Sequence, residues 1–599
     1  MSFVAVVRPS WLASVRIGAI VLFIGLASWS CTSRTSDGSA RETADAGVRA
    51  LADAYLNAYF ERYPETATVY GVPGRHHDKL SDNSLAALRD WQAKEDAFLT
   101  QARAIDPRAI EDARLQATYA IVREALDSSI ATRVCRNELW NVSQMNGWHT
   151  NLGYLITIQP VGTDAARQEA VARWSTLSKY IDAEIANLRE GIRQGYTAPK
   201  VNVRIVIDQV GTLLRYPLKN SPFDSPSQRD SSPEFKKQFD ALVTEQIKPA
   251  AQRYMEFLRR EYLPVARDSI GVSEMPNGPL CYTASIRSYS TLPKSADQVH
   301  SIGLAQMESI TREMQTVGER SFGTKDVPGL LQRVRTDRQY LFKSRDDLID
   351  YSRAALDRAK AAVPQWFGLI PRADVKLEPY PAFREKNGPN EYNPPAEDGS
   401  HPGLFYVSAY QAEKKSRVNT ESTAFHETIP GHHMQIALAL ERKEIHPLGR
   451  YLINSGYVEG WALYAERLAD EMKLYSSDLD RLGMLGNQAF RAARLVVDTG
   501  IHSMGWSRQR AIDYMLQHTT EDANAAAAEV DRYMIVPGQA TAYMLGMLEI
   551  RAARDDASKR LGSRFDIASF HDRVLEDGSV PLTFLRNKIA AWSRALAGS

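Results

Sequence analysis

Along most of the chain, apolar residues recur at helical spacing. Val48, Leu51, Ala52, Tyr55, Leu56 and Tyr59 fall at i, i+3 and i+4, the stripe that one face of a helix buries. The same period marks Leu85–Ala104, 165–195, 234–262, 296–317 and Arg345–Ala362. It returns in 458–472, 482–499, 506–517 and 541–556. Two stretches rich in Pro, Ser, Asp, Asn and Gly, 217–233 and 378–402, read as irregular surface connections. Strand character is confined to 375–377 and to 404–410, whose Leu-Phe-Tyr-Val-Ser-Ala-Tyr is aromatic and β-branched. No repeat of 20 to 50 residues and no phosphate-cradling glycine loop is present. The pattern predicts a mainly α protein with one large two-lobed domain.

Composition changes this picture little. With 44% hydrophobic and 24% charged residues the chain has the makeup of a globular protein, and its net charge of +1 gives no reason to expect nucleic acid as a partner. The N-terminus adds more. Arg8 and Arg16 precede an apolar run from Ile17 to Trp29, short for a membrane span and suited to an export signal. Residues 1–30 therefore read as an export signal or N-terminal anchor, and 31–44 as a flexible polar linker. Cys31 stands where lipoproteins carry their lipidated cysteine, although Ser28 and Trp29 depart from the usual residues before it. The folded body, 45–599, is expected outside the cytoplasm: periplasmic, or anchored by its N-terminus and facing outward. Of three cysteines, Cys135 and Cys281 remain for one disulfide, and so few thiols exclude a thiolate-rich metal site.

The candidate chemistry lies in His426-Glu427-Thr428-Ile429-Pro430-Gly431-His432-His433, which gathers three of the chain's 12 histidines. Two imidazoles on a helix, with a Glu directly after the first, are a common way to hold zinc. The imidazoles bind the metal and the Glu handles the proton of an attacking water. The usual second His stands at i+4, and here that position is Pro430. In an unbroken helix His433 would lie about 10 Å along the axis from His426, too far to share an ion. Pro430 breaks the helix and Gly431 relaxes it, so the chain is expected to loop out after Glu427. A two-residue excursion delivers His432 to the metal and a three-residue one delivers His433; the first is favoured. Downstream, Glu459 and Glu466 share a helix face about 10 Å apart. Glu459 is taken as the third ligand, and Glu466 as a supporting residue or, more simply, a solvated one. Two His and one Glu leave a fourth position open, the mark of a catalytic Zn2+ site.

The octapeptide, with Tyr457-Val458-Glu459-Gly460-Trp461-Ala462-Leu463-Tyr464-Ala465-Glu466, resembles the DUF885 family over about residues 45–595. That family is similar to the helical zinc peptidases of the angiotensin-converting-enzyme, thimet-oligopeptidase and thermostable-carboxypeptidase type. The resemblance implies a helical fold split by a deep cleft, with zinc at its floor and a small edge sheet. It also implies an oxyanion-stabilising Tyr543, assisted by Gln539 or Tyr533. An edge strand at 404–410, including Tyr406, would pair with substrate backbone. The expected activity is zinc-dependent hydrolysis of small or unfolded peptides, with Glu427 as general base. The rival readings are a zinc amidase acting on another amide, and an envelope protein that binds peptide or zinc without catalysis.

Overall fold

A computed structural model describes residues 33–380, 390–397 and 401–598. Helices carry most of it, and one continuous apolar core runs from Leu51 to Ile589. The periodic segments become helices with identifiable ends. Leu85–Ala104 starts at Ser84, whose side chain accepts from the Ala87 N–H. Ala296–Phe322 starts in a capping box between Ser295 and Gln298 and ends at the left-handed Gly323. The pattern at 165–195 divides into Asp164–Ser175 and Leu177–Gln194 at Thr176, while 234–262 stays helical through two π-helical turns.

Two readings of the chain's connecting segments need correction. The expected linker at 31–44 is helical from Ser33, continuous with the helix that runs to Arg62. The export signal and Cys31 fall outside the described residues. The connection at 217–233 is not irregular: it contains the short helical turns Leu218–Asn220, Pro222–Asp224 and Ser225–Arg229, each opened by a turn-favouring Pro, Ser or Asp. Cys135 and Cys281 are bonded to each other, tying two helical segments 146 residues apart in sequence.

The only sheet among the described residues has three strands, β1 (Val375–Pro379), β2 (Glu391–Asn393) and β3 (Gly403–Val407), in the order β1-β3-β2. β2 lies in the stretch read as an irregular loop. Its register places Tyr392 opposite Phe405, antiparallel, while β1 pairs with β3 in parallel. The strand expected at the sheet's edge is thus its centre. Both sides of β3 are hydrogen-bonded, so a peptide cannot join it at Tyr406. That side chain instead stacks on Tyr380, with ring centroids 5.0 Å apart.

The site region is built on two pairs of packed helices. Ser455–Glu471 packs along Ala542–Leu561, and Ala296–Phe322 along Asp478–Ser503. The first pair approaches closely because both sides lack side chains at the contact. A Cβ on Gly460 would lie 2.5 Å from the Gly546 backbone, and one on Gly546 only 1.8 Å from the Gly456 carbonyl. This contact brings Glu459 beside the start of the helix that carries Tyr543.

Candidate metal centre

The helix Thr420–Glu427 carries His426 and Glu427 at its last turn. Asn419 does not cap it; its amide donates to Thr520 Oγ1 at 3.2 Å instead. After Glu427 the backbone leaves the helix at Thr428 and Gly431, and a new helix, His432–Glu441, begins. The interruption is tightly held. The His433 N–H donates to the Thr428 carbonyl at 3.0 Å, and Trp461 Nε1 donates to the carbonyls of Pro430 (2.9 Å) and Gly431 (3.2 Å). Only glycine fits at 431, since a Cβ there would lie 2.0 Å from the His426 carbonyl oxygen. Trp461 is fully buried against this loop; truncating such a side chain costs about 3–5 kcal/mol, and here it would also release the loop.

The excursion brings His432, not His433, back to His426. Their rings meet edge to face, with centroids 4.9 Å apart. Glu459 Oε2 lies 3.7 Å from His426 Nε2 and 3.5 Å from His432 Nε2. One ligand atom from each of the three lies within 4.8 Å of the others. Ligands on one tetrahedral zinc stand about 3.4 Å apart, so this borderline-soft nitrogen and oxygen set fits a zinc ion with little adjustment. His433 points elsewhere. Its Nε2 meets the Ala373 carbonyl at 2.9 Å and its Nδ1 meets the Tyr392 hydroxyl at 2.9 Å. Burial pushes this imidazole down to about 4, against the bond to Ala373, so it stays neutral. Its inclusion among the ligands is corrected: one more residue of rotation turns it onto the sheet.

The charges favour a cation between the three groups. Burial pushes His426 down, but its interactions with Glu459 and Glu466 outweigh this and hold it at about 9. Burial likewise pushes Glu459 up, yet the two imidazoles hold its carboxyl well below the usual range. Glu427, half-buried beside them, is raised by burial, partly offset by His426 and His432.

Glu466 is not a solvated surface residue. It is fully buried, accepts from His426 Nδ1 at 2.8 Å and from Ser422 Oγ at 2.7 Å. A carboxylate behind a histidine fixes the tautomer and leaves Nε2 free to bind. Its spacing, two turns after Glu459, was the available signal; Ser422, four residues before His426, completes the same pattern.

On the opposite wall, Tyr543 is half-buried with the Arg494 guanidinium 4.6 Å over its ring. Burial, then the Glu459 charge, raises its phenol, with Gln539 and two arginines opposing. Gln539 accepts from Arg532 Nη1 at 2.5 Å. Tyr533 is unsuited to assist, because it is fully buried and donates to Glu529 Oε2 at 2.8 Å while accepting from Arg494 Nε at 3.1 Å.

Comparison with known proteins gives the fold and the family but no activity. A candidate lipoprotein from Colwellia psychrerythraea is 26% identical, with a TM-score of 0.84 over 92% of this chain and 99% of its own. A candidate lipoprotein of unknown function from Shewanella oneidensis, 18% identical, shares the fold with a TM-score of 0.73 over 91% of this chain and 99% of its own. No curated protein matches the chain. The family described as bacterial protein of unknown function, DUF885, matches residues 64–589, which include the whole His426–Glu459–Glu466 constellation, and the chain belongs to that family.

Proposed function

We propose that this protein is an exported zinc peptidase. The observation that carries the reading is the convergence of His426, His432 and Glu459 across a helix break, with Glu427 directly beside them and Glu466 behind. His426, His432 and Glu459 would hold the ion; zinc in such a set acidifies water and polarises a carbonyl. Glu427 takes the proton of the attacking water on its carboxylate and passes it to the leaving amine nitrogen. A carboxyl pushed up by burial suits that exchange near neutral pH. The Tyr543 hydroxyl donates to the oxygen on which negative charge develops. Its conformation is set by Arg494 above the ring.

Export is supported by the apolar run at 17–29, by the Cys135–Cys281 bond, and by the lipoprotein description of two structural neighbours. No helix among the described residues is long and apolar enough to cross a membrane. The test is Glu427→Gln. Zinc content by mass spectrometry should remain near one per chain, while cleavage of a mixed peptide library falls by about a thousandfold or more, the scale lost with a catalytic group. Unchanged cleavage would sink the reading, and so would a wild-type protein that binds no zinc.

A further inference from the structure

Arg491 lies on the long helix Asp478–Ser503, on the face between Asn487 one turn before it and Arg494 one turn after. Both neighbours touch the centre, from opposite sides. Asn487 Nδ2 donates at 3.1 Å to Ser422 Oγ, which in turn holds Glu466 behind His426. Arg494 covers the Tyr543 ring and pairs with Glu529 at 3.0 Å. Arg491 therefore stands on the helix face between the ligand helix and Tyr543.

Arg491 is unlike the other buried arginines. Arg173 donates to the Lys79 carbonyl and to Gln159 Oε1, and Arg267 to the carbonyls of Thr197, Ser269 and Gly271. Among the described residues Arg491 makes no hydrogen bond or ion pair. Its Nε is buried without a partner, and its ring contact is with Phe490, at 5.2 Å. No carboxylate of the surrounding wall pairs with it among the described residues. Arg494 and Arg532 already share the carboxylate of Glu529, and Glu521 forms no ion pair with Arg491. A half-buried guanidinium left without a hydrogen-bonded partner is costly, and its planar fork matches a carboxylate.

We infer that Arg491 anchors the free C-terminal carboxylate of a peptide and so makes this chain an exopeptidase that works from the carboxyl end. The inference rests on the peptidase reading for its reaction, but the anchor itself is a binding property. Its place on the helix face between the Ser422–Glu466 support and Tyr543 sets the anchored group beside the metal centre. A C-terminal carboxylate supplies such a group on every peptide, whatever its sequence.

The test uses three peptides of one sequence: free acid, C-terminal amide, and an amide with Glu as last residue. With zinc-loaded full-length protein, kcat/KM for the acid should exceed that for the plain amide by about tenfold to a hundredfold, the range of a charged hydrogen bond. Arg491→Met should bring the acid down to the amide's level, and Arg491→Lys should recover part of the difference. Equal cleavage of acid and amide by the wild type would overturn the anchor, as would an equal loss on both in Arg491→Met. A Glu-terminated amide as good as the acid would assign Arg491 to a side chain instead. Calorimetric titration of zinc-loaded Glu427→Gln protein with the same peptides separates the two readings. Tighter binding of the acid without any wild-type turnover keeps the anchor and removes the peptidase; equal binding removes the anchor whatever the turnover.

Discussion

Two buried polar clusters of this protein can be set side by side. In the N-terminal half Arg133 donates to Asp96 Oδ1 at 2.6 Å, to the Gln92 carbonyl at 3.0 Å and to Glu95 Oε2 at 3.1 Å, while Ser129 Oγ donates to Glu95 Oε1. Donors there face acceptors, and opposite charges meet. At the candidate metal centre, three groups that all offer lone pairs converge on one point, and Arg491 on the neighbouring helix has, among the described residues, no ion-pair partner of its own. In the first cluster the guanidinium is met by two carboxylates of the chain itself, although Arg133 Nε and Gln92 Nε2 keep no partner. The second is arranged for something not contributed by the chain, and that contrast separates a structural network from a site better than burial does, since both are buried.

The largest effect that would sharpen the comparison is on stability. Arg133→Met leaves Glu95 buried without its cation, which costs about 3–5 kcal/mol when a buried pair is broken. Urea unfolding should show that loss, while zinc content and turnover per folded molecule stay at wild-type values. A loss of zinc in Arg133→Met would break the distinction between the two clusters. Glu466→Gln should do the reverse. The amide oxygen still accepts from His426 Nδ1 and the amide nitrogen can donate to Ser422 Oγ, so folding changes little, but the ligand loses the carboxylate that makes it basic. Zinc affinity measured by chelator competition should fall by about 10- to 100-fold. An unchanged affinity would reduce Glu466 to a packing residue.

The same contrast explains what could be read from the sequence. Helices followed from apolar period, and His426, Glu427, His432 and Glu459 from spacing plus a proline where a ligand should stand. The choice between His432 and His433 turns on the backbone at Thr428 and Gly431, which no periodicity encodes. Partner lists are less accessible still. Glu466 looked like one more acid on a helix, and only packing shows it bound between Ser422 and His426. β2 is three residues inside a proline-rich stretch, too short to show a period, yet it moves β3 from edge to centre and removes Tyr406 as a backbone-pairing position. Arg491, Asn487 and Arg494 share a face by spacing, but nothing in the sequence says that this face meets the metal helix.

The smallest expected effect concerns a histidine whose partners the chain itself supplies. His502 is fully buried; its Nδ1 accepts from the Val272 N–H at 3.1 Å and its Nε2 meets the Tyr533 carbonyl at 3.0 Å. Burial pushes the imidazole down to about 3, with Arg267 adding to burial and the Tyr533 bond opposing it. The unfolded chain takes up a proton here below about pH 6.5, and the folded chain only near pH 3. The contribution is therefore complete above pH 6.5 and is lost progressively as pH falls towards 3. Between pH 7 and pH 5 this one group should remove about 2 kcal/mol of stability, at 1.36 kcal/mol per pH unit. Gln at this position can keep both hydrogen bonds but cannot take up the proton. His502→Gln should accordingly flatten the fall in urea midpoint from pH 7 to pH 5 by that amount, without changing zinc content at pH 7. Equal pH dependence in the two proteins would mean that acid acts elsewhere first, and the metal cluster, with its three converging carboxylate and imidazole groups, would be the next place to look.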